Sequence, residues 1–286
     1  MMFQERKRPL HPGLLFRLKG KGSIGFFVEH EGDVYMITAA HLLGVDEWYR
    51  GSYANRGKVV YQTGYYPADR IGVVDRWLPI QLGVDGMAVK LDPWVGVTHR
   101  IPGLEGEFNK IVEPEKGMDV ALVGCVSGIS YGKVTKVSDW TDVIDKNTGR
   151  QYRLTNLIEF SARGNAGDSG GLVVSLDPPG VLGVLVSGYY GSSPQWASKA
   201  ADICARLGFG PDIKLAERGE SVHIELQIGK KEYTVNGQGR EMDVPAQIIN
   251  GRTMVPLRFI AEALGAEVDW EPKNGKTEKV IITKGG

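Results

Sequence analysis

Short apolar runs, broken by glycine and proline turns, fill residues 13–190. They are GFFVEH, VYMITAA, KVVYQ, IGVVDRW, GMAVKL, VALVGCV, GKVTKV, NLIEFSA, GGLVVSL and VLGVLVSGYY. Each has the length and the β-branched or aromatic content of a strand, and the tripeptide EGD between the first two reads as a hairpin turn. Regular strands of this kind predict a β-sandwich or barrel. The period changes at SPQWASKAADICARLGF, where Trp196, Ala200, Ile203, Cys204 and Leu207 recur at helical spacing before Gly208. The expectation is one helix closing a first domain.

The pattern then weakens. GPDIKLAERGES (210–221) carries turn and charged residues with little apolar periodicity, and reads as an exposed linker. Exposed linkers are preferred sites of nicking. In HIELQIGKKEYTVNG, alternation at Ile224, Leu226 and Ile228 predicts a strand and hairpin. VPLRFIAEALGA predicts a helix with Leu257, Ile260, Ala261 and Leu264 on one face, Pro256 at its entry and Gly265 at its exit. Arg258 and Glu262, four apart, are placed to pair on its outer face. EVDWEP and EKVIITK read as closing strands.

Composition narrows the function classes. Lys+Arg and Asp+Glu both total 34, so the chain lacks the basic footprint of a nucleic-acid binder. The cluster ERKRP at 5–9 reads as a solvated tail. Two cysteines, Cys125 and Cys204, in apolar surroundings read as buried thiols, with a single bridge as the alternative. No apolar run reaches the length of a membrane span. LLF near the N-terminus is too short for a signal-peptide core, so the default expectation is a cytoplasmic protein.

Three stretches share one chemistry. A serine hydroxyl becomes a nucleophile when a base lies within hydrogen-bond reach, that base is oriented, and backbone N–H groups face the developing oxyanion. GNAGDSGG (164–171) surrounds Ser169 with glycines, and the N–H groups of Gly167 and Ser169 are the candidate oxyanion donors. His41 ends the strand-like YMITAAH, and Asp85 precedes the strand-like GMAVKL. Alone, such a histidine is ordinarily structural and such an aspartate a turn residue, and a bare surface turn is the alternative for the serine loop. Their joint occurrence in the order His, Asp, Ser points to acyl transfer.

These residues carry a resemblance to the trypsin/chymotrypsin-like serine peptidases. TAAH resembles that family's histidine motif, DGMAVKL its aspartate motif and GDSGG its serine motif. VLVSGYYG (184–191) resembles the strand lining the substrate groove, and VGCVSGISYGKVTKV (123–137) the opening of the second barrel. The resemblance covers roughly residues 13–208. It implies a mainly β chain with a chymotrypsin-like double β-barrel, the site lying between two six-stranded barrels. It also implies a serine endopeptidase of polypeptide substrates with no cofactor and no metal. Ser169 would attack the scissile carbonyl, His41 would shuttle the proton, Asp85 would fix the histidine tautomer, and Asp168 would pair with a cation. The substrate-binding candidates are Arg163, Ser187, Gly188 and Tyr189. Arg163, six residues before the serine, would repel basic side chains if it stood at the pocket base; the alternative is that it points to solvent.

The chain departs from the family in having Leu42, not cysteine, after the histidine, and in having no Ile-Val-Gly-Gly start. The alternative function is an inactive binding or scaffold protein on a peptidase fold; an esterase would use the same parts. A second resemblance lies at 222–284, where NGRTMVPLRFIAEALGA is similar to the stalk domain first named from copper amine oxidases. His223 stands apart from any metal-ligand spacing, so no copper chemistry follows. The implied architecture is a trypsin-like serine protease domain over 1–209, a linker over 210–221 and a small α+β stalk domain over 222–286. The stalk would serve association or surface attachment. Such stalks are frequent in exported bacterial proteins, which makes an extracellular or cell-surface location the alternative to the cytoplasm.

Overall fold

The computed structural model describes residues 2–44, 55–144, 149, 151–210, 212–273 and 276–284. They form two compact units, Met1–Glu220 and Ser221–Gly286.

The first unit is all but purely β. Its first half supplies β1 (Leu15–Arg17), β2 (Lys21–Ser23), β3 (Phe26–His30), β4 (Asp33–Thr38), β5 (Val59–Tyr61), β6 (Arg70–Trp77) and β7 (Met87–Leu91). Its second half supplies β8 (Asp119–Gly124), β9 (Gly128–Ile144), β10 (Gln151–Phe160), β11 (Leu172–Leu176), β12 (Pro179–Gly188) and β13 (Gln195–Lys199), then α1 (Ala200–Arg206) and the two-residue strand β14 (Lys214–Leu215). The second half closes into a six-stranded barrel, β10-β13-β12-β11-β8-β9, filled by Val120, Leu122, Ile158, Phe160, Val173 and Leu182, none more than 1% exposed. In place of the second closed six-stranded barrel that the resemblance implied, the seven strands of the first half and β14 form an eight-stranded sheet whose ladder, β14-β3-β4-β7-β6-β5-β1-β2, stays open at both ends. Phe16, Phe26, Phe27, Met36 and Ile37 fill it. EGD forms the expected tight turn between β3 and β4, with Glu31 and Gly32 both at positive φ.

Two further expectations fail here. Residues 195–199 are a strand, not the start of a helix: β13 pairs with β10 on one side and β12 on the other, and the helix begins only at Ala200. Two ladders outweigh the local helical spacing of Trp196 and Ala200. Gly208 does end the region, at φ 82. The segment read as an exposed linker is largely fastened down. β14 extends the sheet along β3, the Ala216 N–H donates to the Phe27 carbonyl, and Arg218 exchanges backbone hydrogen bonds with Val97. The Arg218 guanidinium also donates to the carbonyls of Asp92 and Val95, and Leu215 and Ala216 are buried. Backbone paired into a sheet is a poor target for nicking.

The second unit joins a three-stranded sheet, β15 (Ile224–Leu226), β16 (Glu232–Val235) and β17 (Gln238–Glu241), to two hairpins. These are β18 (Gln247–Ile249) with β19 (Arg252–Met254), and β20 (Glu267–Lys273) with β21 (Lys276–Thr283). The helix α2 (Leu257–Ala263) runs between the hairpins, entered by Pro256 and left through Gly265 at φ 78. Its packed side is only partly the expected one. Ala261 is buried, but Phe259 and Ala263 face the core formed by Tyr233, Val235 and Met242, whereas Leu257 and Leu264 are exposed. The Phe259 ring meets Tyr233 edge to face at 6.3 Å, a larger contact than Leu257 would offer. Arg258 stacks over Trp270 at 4.5 Å instead of taking the expected partner, Glu262.

Candidate active site

Strand register brings the histidine and the aspartate together. β4 pairs antiparallel with β7 so that Thr38 faces Met87. His41, just past the end of β4, therefore meets Asp85, just before β7. Ala39 and Ala40, both fully buried, leave room for the carboxylate beneath the turn. Asp85 is itself fully buried and accepts three hydrogen bonds: Oδ1 from the N–H groups of Ala40 (2.6 Å) and His41 (3.1 Å), and Oδ2 from His41 Nδ1 (2.6 Å). Its own N–H donates to Ser198 Oγ at 3.3 Å. A carboxylate facing Nδ1 demands a proton there, which leaves Nε2 as the basic nitrogen of the neutral ring. Burial favours the neutral ring, but the charge and hydrogen bond of Asp85 outweigh it and raise the His41 pKa above the ordinary imidazole value. The imidazole is 24% exposed and lines the cleft.

The serine loop spans the gap between β10 and β11. Asp168 anchors it from a fully buried position, but not through the expected cation. Oδ1 accepts from the N–H groups of Val126 (2.8 Å) and Ser127 (3.0 Å); Oδ2 accepts from the Asn165 N–H (2.7 Å) and the Ser127 hydroxyl. Four neutral donors do the work of an ion pair, as in other anion-binding concavities of backbone amides. The open sheet contributes a second anchor, Ser23. Its N–H donates to the Ser169 carbonyl (2.9 Å), and its hydroxyl donates to the Gly167 carbonyl (3.0 Å) while accepting from the Cys125 N–H (2.9 Å). The Cys125 thiol also donates to the Gly167 carbonyl, at 3.3 Å. Gly167 sits at φ 104, a conformation a side chain would strain, and an added Cβ would stand 2.8 Å from Val126. The N–H groups of Gly167 and Ser169 donate to no protein acceptor among the described residues.

His41 and Ser169 line one cleft of about 300 Å³. The Ser169 hydroxyl makes no hydrogen bond among the described residues. Of the four substrate-binding candidates, Ser187 and Gly188 line the cleft. Arg163 and Tyr189 do not. Arg163 is exposed, its N–H donating to Ser130 Oγ, because the residue before it, Ala162, already points into the barrel core. Tyr189 is 61% exposed against Trp196, and its neighbour Tyr190 takes the lining position. Sequence reasoning missed Gly164, Asn165 and Gln195 as lining residues. A larger groove, about 990 Å³, runs between Lys7–His11 and Thr98–Glu107. It brings no nucleophile to a base, so the smaller cleft is the candidate site. Both cysteines are free buried thiols; burial raises the pKa of each, that of Cys204 to about 12. Among the described residues, no group of three or more His, Cys, Asp or Glu side chains could hold a metal ion.

A closed six-stranded barrel beside a curved sheet, with a cleft lined from both, is the fold of the chymotrypsin-like serine proteases, and comparison with solved structures bears this out. The first unit is similar to Thermobifida fusca protease A, at 20% identity over 73% of this chain and 100% of that one, TM-score 0.55. It is similar to a glutamic acid-specific serine protease described as using a histidine triad in substrate binding, at 15% identity over 72% and 100%, TM-score 0.56. It is likewise similar to the Nocardiopsis protease NAPase, at 20% identity over 72% and 99%, TM-score 0.54. The family profile of the copper amine oxidase N-terminal domain matches residues 212–282. No curated protein sequence matches the chain.

Proposed function

We propose that this chain is a serine endopeptidase, with a non-catalytic accessory unit at 221–286 serving association or surface attachment. The observation that carries the reading is the buried Asp85 fixing His41 on the cleft that Ser169 lines, beside two uncommitted N–H groups. His41 Nε2 takes the proton of the Ser169 hydroxyl as Oγ bonds to the substrate carbonyl carbon. The oxyanion that forms is held by the Gly167 and Ser169 N–H groups. As the C–N bond breaks, Nε2 returns the proton to the leaving amine, and an acyl group remains on Oγ. Water, deprotonated by the same nitrogen, then releases the acid. Asp85 keeps the ring in the required tautomer and stabilises its cation.

Among the described residues, no Asp, Glu, Lys or Arg lines the cleft. A lysine or arginine side chain bound there meets no counter-charge among them, and a buried unpaired charge is costly. Poor cleavage after basic residues therefore remains the proposal, on this ground instead of repulsion by Arg163.

One observation favours the inactive alternative: the open Ser169 hydroxyl. In ligand-free sites such contacts are often long and close on substrate binding. The test is intact mass after treatment with a fluorophosphonate serine-hydrolase probe. One adduct on the wild-type chain and none on Ser169→Ala supports the peptidase. No adduct on folded wild-type protein sinks it and leaves the scaffold.

A further inference from the structure

Gln195 is the first residue of β13 and only 2% exposed. Its amide nitrogen has two hydrogens and uses both: Nε2 donates to the carbonyls of Tyr189 (2.7 Å) and Ser192 (2.8 Å). The amide cannot be turned over, because that would set its oxygen against two carbonyl oxygens. Oε1 is thereby fixed, and it accepts no hydrogen bond among the described residues. Nor is it sealed in, since it is absent from the fully enclosed unpaired atoms of the chain.

The carboxamide lies between two glycines that also line the cleft. A Cβ on Gly188 would stand 1.9 Å from Oε1, and one on Gly164 would stand 3.0 Å away. Any side chain at 188 would collide with the amide, so this glycine serves Gln195. The result is a carbonyl oxygen on a nearly buried side chain, aimed by two hydrogen bonds, without a protein partner among the described residues and open to the cleft that holds Ser169. A bound side chain that shuts water out of the cleft buries this acceptor, and a buried acceptor needs a donor.

We propose that Gln195 determines specificity, with Oε1 accepting a hydrogen bond from the side chain on the acyl side of the scissile bond. That side chain ends in a neutral donor, as the carboxamide of glutamine does. An acidic side chain would bring its oxygens against Oε1, and a cationic one finds no counter-charge among the described residues. The inference rests on the peptidase reading and deepens it.

The test uses the Ser169→Ala chain, which separates binding from hydrolysis. N-acetylated peptides identical except for a C-terminal Gln, Met, Glu or Lys are titrated calorimetrically. Glutamine is expected to bind about tenfold more tightly than its near-isostere methionine, as one buried hydrogen bond implies, with glutamate and lysine weaker still. Methionine binding as well as glutamine, glutamate or lysine binding best, or no binding by any of the four, overturns the proposal. Adding Gln195→Met should erase the glutamine-over-methionine ratio; if that variant does not fold, the four-peptide ladder alone decides. Fluorophosphonate labelling of the wild-type chain reports separately on the peptidase reading.

Discussion

On one wall of the cleft a buried carboxylate holds an imidazole at 2.6 Å; on the other, a buried carboxylate holds a peptide loop through four neutral donors. Asp85 and Asp168 are both fully buried, yet they act on different objects. Asp85 acts on a titratable ring, and its contribution is electrostatic. Asp168 acts on backbone whose charge never changes, and its contribution is geometric. The first wall should therefore govern the protonation dependence of the reaction, and the second its oxyanion geometry and the integrity of the loop.

The largest effect that would sharpen this contrast comes from Asp85→Asn. The amide's NH2 can face His41 Nδ1 only if that nitrogen gives up its proton, which moves the proton to Nε2, where the base must be free. A loss of about 10⁴-fold in kcat is expected, with the fold retained. Progress curves on a peptide substrate and a circular dichroism melt check both halves. A loss of less than about tenfold would show that Asp85 does not act through the tautomer.

Asp168→Ala comes next and should fail differently. It leaves the N–H groups of Val126, Ser127 and Asn165 without their acceptor in a closed loop. Leaving buried donors unpaired costs about 1–3 kcal/mol each when water cannot replace the acceptor. A fall in urea-unfolding free energy of about 3 kcal/mol is expected, with fluorophosphonate labelling slowed about a hundredfold. Normal stability with normal labelling would break the comparison, because the loop would then not need its anchor.

Much of this arrangement was legible because its chemistry is local. The ends of two strand-like runs displayed His41 and Asp85, and a glycine-crowded turn displayed Gly167 and Ser169. What stayed hidden was decided by pairing between distant segments. QWASK reads as helix because Trp196 and Ala200 stand four apart, and only the ladders with β10 and β12 make it a strand. The buried Gln195 went unseen with it. KLAER reads as linker because nothing local shows that the edge of β3 is vacant. Nothing local marks Ser23; its value lies in reaching Gly167, 144 positions away. Arg163 and Tyr189 were placed by counting from motifs, and counting does not reveal which way a side chain turns.

The pH profile tests the ionic wall under the proposed peptidase mechanism. In that mechanism His41 acts as base only when neutral, and its pKa is raised by Asp85 despite burial. Activity is therefore full above that raised value and falls about tenfold per unit as pH drops below it. The acid limb of kcat/KM should lie on the alkaline side of a free imidazole. A limb at or below the free-imidazole position would mean that Asp85 does not hold the ring as a charged partner.

The smallest effect is the most discriminating. Ser23→Ala removes the hydroxyl that donates to the Gly167 carbonyl and accepts the Cys125 N–H, while the Ser23 N–H still reaches the Ser169 carbonyl. The loop keeps Asp168 and the Cys125 thiol, itself a weak donor. A neutral hydrogen bond that positions an oxyanion donor should be worth about a tenfold drop in kcat, with KM nearly unchanged, since the interaction matters most when charge develops. Because the Ser23 hydroxyl touches only the neutral wall, and the Ser23 carbonyl that accepts from Thr38 Oγ1 is unchanged by the substitution, the acid limb should not move. Ser23→Thr, which restores a hydroxyl, should recover part of the rate. If Ser23→Ala instead shifted the limb, the two walls would be electrostatically coupled, and the division between an ionic wall and a geometric one would have to be abandoned.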